Sequence, residues 1–163
     1  MRRRTLLKAG LAGGALLAAA GGVAIVAGRD ARDDREAVLA AVVPALLDGA
    51  LPAAADERDA AVRRCIDGVV AAIAGLAPAS QTELAQLFTL LATTPGRRLL
   101  AGVPHDWKDA DVAMVGAFLQ SWRQHRFALF RGAYAALHDL VIGTWYADDS
   151  AWPAIGYAGP LPL

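Results

Sequence analysis

The residues of this chain that could do chemistry are one cysteine and three histidines. Cys65 is the only cysteine, which excludes an intramolecular disulfide, a zinc site made of cysteines and a CxxCH haem attachment. His105, His125 and His138 are separated by 20 and 13 residues, and none has a second histidine or a cysteine at metal-ligand spacing. A metal site would therefore require the fold to gather distant residues.

A catalytic pair is the next possibility, because His138 stands directly before Asp139. Neighbours in sequence on a helix point about 100° apart, so we expect a surface or partly buried histidine here. The acidic pairs at residues 33–34 and 148–149 flank predicted helix ends, where solvated or capping roles are common. The nucleotide-binding patterns GxGxxG and GxxxxGK[ST] and the hydrolase pattern GxSxG do not occur.

Cys65 falls on an apolar helical stripe, which indicates a buried and inert thiol. An intermolecular disulfide or a reactive thiol are the alternatives. A small enzyme that uses His105 or His138 with nearby carboxylates is a competing hypothesis, motivated only by the presence of those residues. The sequence contains no catalytic constellation, so we expect no catalytic residue, no cofactor and no metal on this chain.

Composition and charge predict what kind of domain would position these residues. The 163 residues are 20% charged and rich in alanine, and no alternation of apolar and polar residues reaches strand length, which favours a helical fold. Four of the 16 basic residues precede residue 9, so 12 remain against 16 acidic ones, a net charge of −4 for the rest. This balance argues against a nucleic-acid partner and disfavours binding to an anionic membrane.

Apolar spacing predicts an all-α, compact bundle of about five helices. The first covers residues 33–47 with Pro44 inside it, so we expect a kink or a break followed by a short second piece. The second covers residues 57–76. A capping box formed by Ser80 and Glu83 opens the third.

The second half of the body contains the remaining helices. A short helical segment passes through Leu99 and Leu100 after a turn, and the fourth helix begins at Lys108 or Asp109. The fifth is a continuous stripe from Phe127 to Trp145. The resulting division is a signal segment at residues 1–28, a helical domain at residues 29–146 and an extended tail rich in proline and glycine at residues 147–163.

The N-terminus is predicted to be a twin-arginine export signal, with an ordinary arginine-rich secretory signal or anchor as the alternative. Its run RRTLLK is similar to the twin-arginine pattern of two arginines, any residue, two apolar residues and lysine, through Arg3, Arg4, Leu6, Leu7 and Lys8. The uncharged stretch at residues 9–28 is long enough to cross a bilayer, but its glycine and alanine content is typical of a weakly hydrophobic signal. We expect export to the periplasm with cleavage after Gly28, or membrane anchoring if the signal is retained.

The tail resembles a known family. Its order of an aromatic pair, a short acidic spacer, a tryptophan and a glycine-containing end is similar to the C-terminal region of the gluconate 2-dehydrogenase subunit 3 family. The residues that carry the resemblance, and that we expect to bind a partner, are Trp145, Tyr146, Trp152, Ile155, Gly156, Tyr157 and Pro160. The resemblance is concentrated between residues 145 and 160.

The resemblance implies an accessory role without catalysis. Members of that family are small helical subunits, commonly with a twin-arginine signal, that accompany flavin-dependent dehydrogenases of the glucose-methanol-choline type. It implies that a large partner holds FAD, that both chains use the twin-arginine translocase, and that a cytochrome subunit is a further possible component. Two alternatives stay open: a self-contained membrane-anchored binding or structural protein, and a tail that only covers the protein's own bundle.

Overall fold

A computed structural model describes residues 30–149 and Trp152. Within that part the chain forms five α-helices and no β-strand, which confirms the predicted all-α bundle. The helices are α1 (Ala31–Leu46), α2 (Ala55–Ala74), α3 (Pro78–Ala92), α4 (Val112–Arg123) and α5 (Ala128–Ala147), with a π-helical turn at Gly96–Leu100 and a 3₁₀ turn at Trp107–Asp109 between α3 and α4. The predicted signal at residues 1–28 and the tail at residues 153–163 lie outside the described residues.

Helix α1 is the centre of the bundle and contacts each of the other four α-helices. Its adjacent apolar pairs, one turn apart, are almost completely buried: Val38, Leu39, Val42 and Val43. This double stripe gives α1 a broad apolar face that packs against several helices. The expected second piece after Pro44 does not form, because α1 ends two residues later at Leu46 and Gly49 then adopts a φ of 81° in a turn. A proline in the last turn ends the helix instead of dividing it.

Two helix starts differ from the predictions for local reasons. Helix α3 begins at Pro78, where a missing N–H is not a loss, so Ser80 lies inside the helix and the predicted capping box is wrong. Helix α4 begins after Asp111, whose carboxylate accepts a hydrogen bond from the Met114 N–H at 2.6 Å. Residues before Asp111 form the separate 3₁₀ turn.

The π-helical turn depends on Gly96. A Cβ atom at this position would lie 1.9 Å from the backbone oxygen of Leu90, so only glycine fits without a shift of the backbone. The Thr93 hydroxyl donates to the Leu90 oxygen at 2.7 Å and accepts from the Gly96 N–H at 3.1 Å. The turn therefore holds the predicted helical segment at Leu99 and Leu100 directly against the end of α3.

Helix α5 confirms the strongest periodic pattern of the sequence. The stripe from Phe127 to Trp145 forms one continuous helix, and its later members Leu137, Val141 and Trp145 are buried. At its N-terminal end Phe127 is 51% exposed, because this residue precedes the first helical turn. The two ends of α5 therefore present different surfaces, which bears on function.

Candidate functional site

The predicted partner-binding residues that the structure describes lie at the C-terminal end of α5. Trp145 is 5% exposed and belongs to the core, whereas Tyr146, the next residue, is 52% exposed. Trp152 turns back toward this end: its Nε1–H donates to the Tyr146 carbonyl oxygen at 3.2 Å and its backbone N–H to the Asp149 carbonyl oxygen at 3.1 Å. The structure therefore brings Tyr146 and Trp152 together above a buried Trp145.

The remaining partner-binding predictions fall outside the described residues. Ile155, Gly156, Tyr157 and Pro160 are among them, as are the export residues Arg3, Arg4, Leu6, Leu7 and Lys8. For Trp152, the hydrogen bond to Tyr146 agrees with the alternative in which the tail covers the protein's own bundle. The position of Trp152 beside Tyr146 is compatible with either role.

Helix α2 supports this end of α5 through a close approach. A Cβ on Gly68 would lie 2.4 Å from Cγ2 of Thr144, so glycine allows the two helices to meet at this point. On the same side, Arg64 Nε and Asp148 Oδ2 are 3.6 Å apart in a partly exposed ion pair. Such a pair adds little stability, and the packing at Gly68 is the stronger constraint.

Cys65 lies beneath the same crossing and is buried, as predicted. Its thiol is directed at the Val141 carbonyl oxygen, with a sulfur to oxygen distance of 3.9 Å. Burial, together with the negative charge of Asp148, raises the pKa of this thiol from its ordinary value of 9.0 to about 11. The thiolate is therefore scarce near neutral pH, which agrees with the interpretation of Cys65 as an unreactive core residue.

The three histidines are placed at different points of the fold. His105 is exposed in the loop before the 3₁₀ turn. His125 accepts a hydrogen bond at Nδ1 from the Phe127 N–H at 3.1 Å, and its ring lies 4.2 Å from that of Phe130. His138 is partly exposed, as expected, and it contacts Asp139 with 3.2 Å between Nδ1 and Oδ1 although the two residues are neighbours on a helix.

The His138 and Asp139 side chains lie on an exposed face, with 39% and 55% of their surfaces exposed. Tyr134 lies one turn earlier, with its ring centroid 5.5 Å from that of His138. Among residues 30–149 and Trp152, no group of three or more His, Cys, Asp or Glu is arranged to hold a metal ion. The structure thus adds one exposed pair to what the sequence indicated.

Between α3 and α4, a buried arginine was not anticipated from the sequence. Arg97 is 6% exposed, and its Nη1 lies 2.7 Å from Asp106 Oδ1, while Nε has no hydrogen-bond acceptor in the described part of the chain. Trp107 secures the same loop by donating its indole N–H to the Leu91 carbonyl oxygen at 2.9 Å. These contacts fix the π-helical turn and its exposed Leu99 against the bundle.

A second surface that the sequence did not single out is the turn between α4 and α5. Arg123, Arg126 and Arg131 follow one another there, and no acidic residue occurs between Asp111 and Asp139. That gap in the acidic residues is the signal by which the sequence could have identified the surface.

Comparison of the chain with protein-family models, with curated proteins and with solved structures found no match. Searching the described residues for a helix long and apolar enough to cross a bilayer gave none.

Proposed function

We propose that this chain is a noncatalytic accessory subunit that carries the export signal for a periplasmic flavin-dependent dehydrogenase of alcohols or sugars, and that stabilises it. The observation that carries the proposal is the tail sequence that begins at Trp145, which resembles the gluconate 2-dehydrogenase subunit 3 family. The run RRTLLK supports it, because the twin-arginine route transports folded proteins and FAD is inserted into a folded chain. Catalysis and FAD belong to the large partner.

The arrangement at the end of α5 supports a docking role for the tail. Tyr146 is an exposed aromatic side chain on a rigid helix, so little conformational entropy is lost when a partner covers it. Aromatic residues are enriched among the side chains that dominate binding energy at protein interfaces. The hydrogen bond from Trp152 to Tyr146 orders the beginning of the tail next to this aromatic residue.

Export of the partner tests whether the twin-arginine signal of this chain serves both proteins. Replacing Arg3 and Arg4 by lysine should leave both this chain and the dehydrogenase activity in the cytoplasm. Arg2→Lys is the matched control, because it makes the same chemical change beside the arginine pair and should leave export intact. Periplasmic dehydrogenase activity in the double variant would contradict the proposal that one signal serves both chains.

Copurification tests the docking surface. A tagged full-length chain isolated from the periplasm should carry a yellow flavoprotein, and Tyr146→Ala should reduce the amount recovered by about tenfold or more, as expected for an interface hot spot. Leu99→Ala is the control, because Leu99 is also an exposed apolar residue but lies on the π-helical turn. A chain that is always isolated alone would contradict the accessory function itself.

The alternative function is a self-contained, membrane-anchored binding or structural protein of the periplasm. Its supporting observation is the uncharged stretch at residues 9–28, which is long enough to span a bilayer. Mass spectrometry of the exported protein separates the two cases. A start near Arg29 favours release after cleavage, whereas an intact N-terminus favours the anchor.

A further inference from the structure

The turn between α4 and α5 combines positive charge with an exposed aromatic ring. We propose that this surface, the basic corner, formed by Arg123, Arg126, Phe127 and Arg131, binds the anionic headgroups of a phospholipid membrane. The inference is independent of the dehydrogenase partner, because it concerns the opposite end of α5 from the tail.

The contacts within the basic corner place its groups together. The Arg126 guanidinium lies 4.4 Å from the centroid of the Phe127 ring. Nη1 of Arg131 donates to the carbonyl oxygens of His125 at 2.6 Å and Arg126 at 2.9 Å, which fixes the shape of the turn. Arg123, in the last turn of α4 and three residues before Arg126, is exposed.

The positive charge of the basic corner is not neutralised by acidic neighbours in sequence. The nearest acidic residues along α4 and α5 are Asp111 and Asp139. Asp111 lies twelve residues before Arg123, roughly 18 Å along α4 at 1.5 Å per residue, and Asp139 lies eight residues after Arg131, roughly 12 Å along α5. Both distances exceed the Debye length of about 8 Å at physiological ionic strength, so these two carboxylates offset the positive potential of the corner only weakly.

The helix dipole does not favour arginines at this end of α5. The N-terminus of a helix carries a partial positive charge, which favours acidic side chains in the first turn. Helix α5 has no acidic residue in its first turn, while Arg126 lies two residues before the helix and Arg131 is its fourth residue. Arg131 has a structural role through its two hydrogen bonds to the turn, so the charges that point to a role outside the folding of α5 are those of Arg123 and Arg126.

The apolar groups favour a lipid surface as the occupant. Phe127 is 51% exposed next to the arginines. The π-helical turn also contacts the end of α4, since the Trp122 indole N–H donates to the Leu100 carbonyl oxygen at 2.9 Å, and its Leu99 is 81% exposed. Apolar side chains that enter the headgroup region, surrounded by arginines that reach phosphates, are the composition of a peripheral membrane site.

Vesicle cosedimentation of the full-length chain tests the proposal. Phosphatidylcholine vesicles with and without phosphatidylglycerol are compared at low and high salt, and the signal segment makes the same contribution in every variant. Each arginine near an anionic surface contributes roughly fivefold to affinity, so Arg123→Gln with Arg126→Gln should weaken binding to the anionic vesicles by about 30-fold. Arg32→Gln with Arg63→Gln removes the same charge from exposed positions elsewhere and should leave binding unchanged.

Phe127→Ala separates the contribution of the inserted aromatic ring to vesicle binding from the contribution of the arginine charges. It should weaken binding at high salt as well as at low salt, because burial of an apolar ring is not screened. Arg131 is left intact because it holds the turn, and thermal unfolding verifies that each variant is folded. Equal vesicle binding by the two double variants would overturn the proposal. So would unchanged vesicle binding combined with loss of the dehydrogenase, which would assign the corner to a protein interface.

Discussion

The two ends of α5 carry opposite charges, and both are opposite to what the helix dipole favours. The N-terminal end has Arg126 and Arg131 beside an exposed Phe127, whereas the C-terminal end has Asp148 beside an exposed Tyr146. A helix selected only for stability would have the reverse arrangement, at a gain of about 0.3–1 kcal/mol for each charge. The two ends of α5 therefore differ in both charge and exposed aromatic residue, and a separate binding role is proposed for each.

The buried residues beneath the two ends of α5 are similar, even though the exposed residues differ. A buried tryptophan lies near each exposed aromatic residue: Trp122 near the basic corner and Trp145 near the tail. Trp122 is tied to the π-helical turn by a hydrogen bond, whereas the tail end is held by the close approach of Gly68 to Thr144. The two ends of α5 therefore depend on different contacts.

The largest expected effect separates the buried from the exposed aromatic residues. Trp145→Ala should lower the free energy of unfolding by about 3–5 kcal/mol, because it removes a large core side chain. Phe127→Ala, at the other end, should lower it by less than about 1 kcal/mol, since half of its surface is already in water. Urea unfolding measures both, and equal losses would contradict the assignment of Phe127 to the surface.

The second expected effect is a loss of stability at the π-helical turn, which contacts the end of α4 next to the basic corner. Asp106→Ala leaves the buried Arg97 charge unpaired, but Asp106 itself is 62% exposed, so the loss is reduced by solvent to about 1–2 kcal/mol. Hydrogen exchange should accelerate at the π-helical turn and the end of α4 before it does at the crossing of α2 and α5. Asp109→Ala, a neighbouring exposed carboxylate, is the control.

The third effect concerns pH at the acidic end. The folded state raises the pKa of the Cys65 thiol to about 11 from 9.0, so it binds the proton more strongly than the unfolded chain does. The stabilisation is complete below pH 9 and declines as the pH rises toward 11. Between pH 9 and about pH 10, the free energy of unfolding of the wild type should therefore fall by about 1 kcal/mol relative to that of Cys65→Ala. If the difference between the two proteins does not change with pH, the pKa of Cys65 is not raised.

Asp148→Asn tests how much the charge of Asp148 contributes to the raised pKa of Cys65. The carboxylate of Asp148 is the second cause of the raised pKa of Cys65, after burial. The variant should lower that pKa, so alkylation of Cys65 at alkaline pH should become faster. Asp149→Asn removes an equal charge from the next residue and should change the rate less.

The smallest effect is expected at the surface ion pair of the acidic end. Arg64→Ala should change the free energy of unfolding by less than about 0.5 kcal/mol, because the pair with Asp148 is long and exposed to solvent. Tyr146→Ala should be similarly mild for folding, yet it should impair recovery of the dehydrogenase. A large destabilisation by Arg64→Ala would show that the ion pair, and not the Gly68 packing, holds this end together.

Periodicity predicted the helices well where a long apolar stripe existed, and predicted their starts poorly. Helix α5 followed the spacing from Phe127 to Trp145 because packing depends on the repeat of apolar residues. The starts of α3 and α4 differed because several residues in each region could act as a cap, and only the approach of the chain to its neighbours selects one. Spacing likewise gave no indication that His138 and Asp139 would touch.

The candidate sites divide in the same way. The aromatic order of the tail and the arginine pair were legible in the sequence, because such motifs are continuous. That Trp145 is buried and Tyr146 exposed was decided by which face of α5 packs against the bundle. The basic corner was not predicted from the sequence, because the net charge is a sum over the whole chain. The fold places a few arginines at one surface, and that local positive charge is hidden in the sum.

The sequence by itself determined that this protein is a helical bundle, that its fifth helix is continuous and that Cys65 is in the core, because each depends on the periodic burial of apolar residues. Tertiary structure decided the rest. Gly96 and Gly68 are required only because the backbone of Leu90 and the side chain of Thr144 approach them, and the opposite charges at the ends of α5 become surfaces only once the bundle has formed. Contacts between residues distant in sequence have no local pattern, so the folded chain alone reveals them.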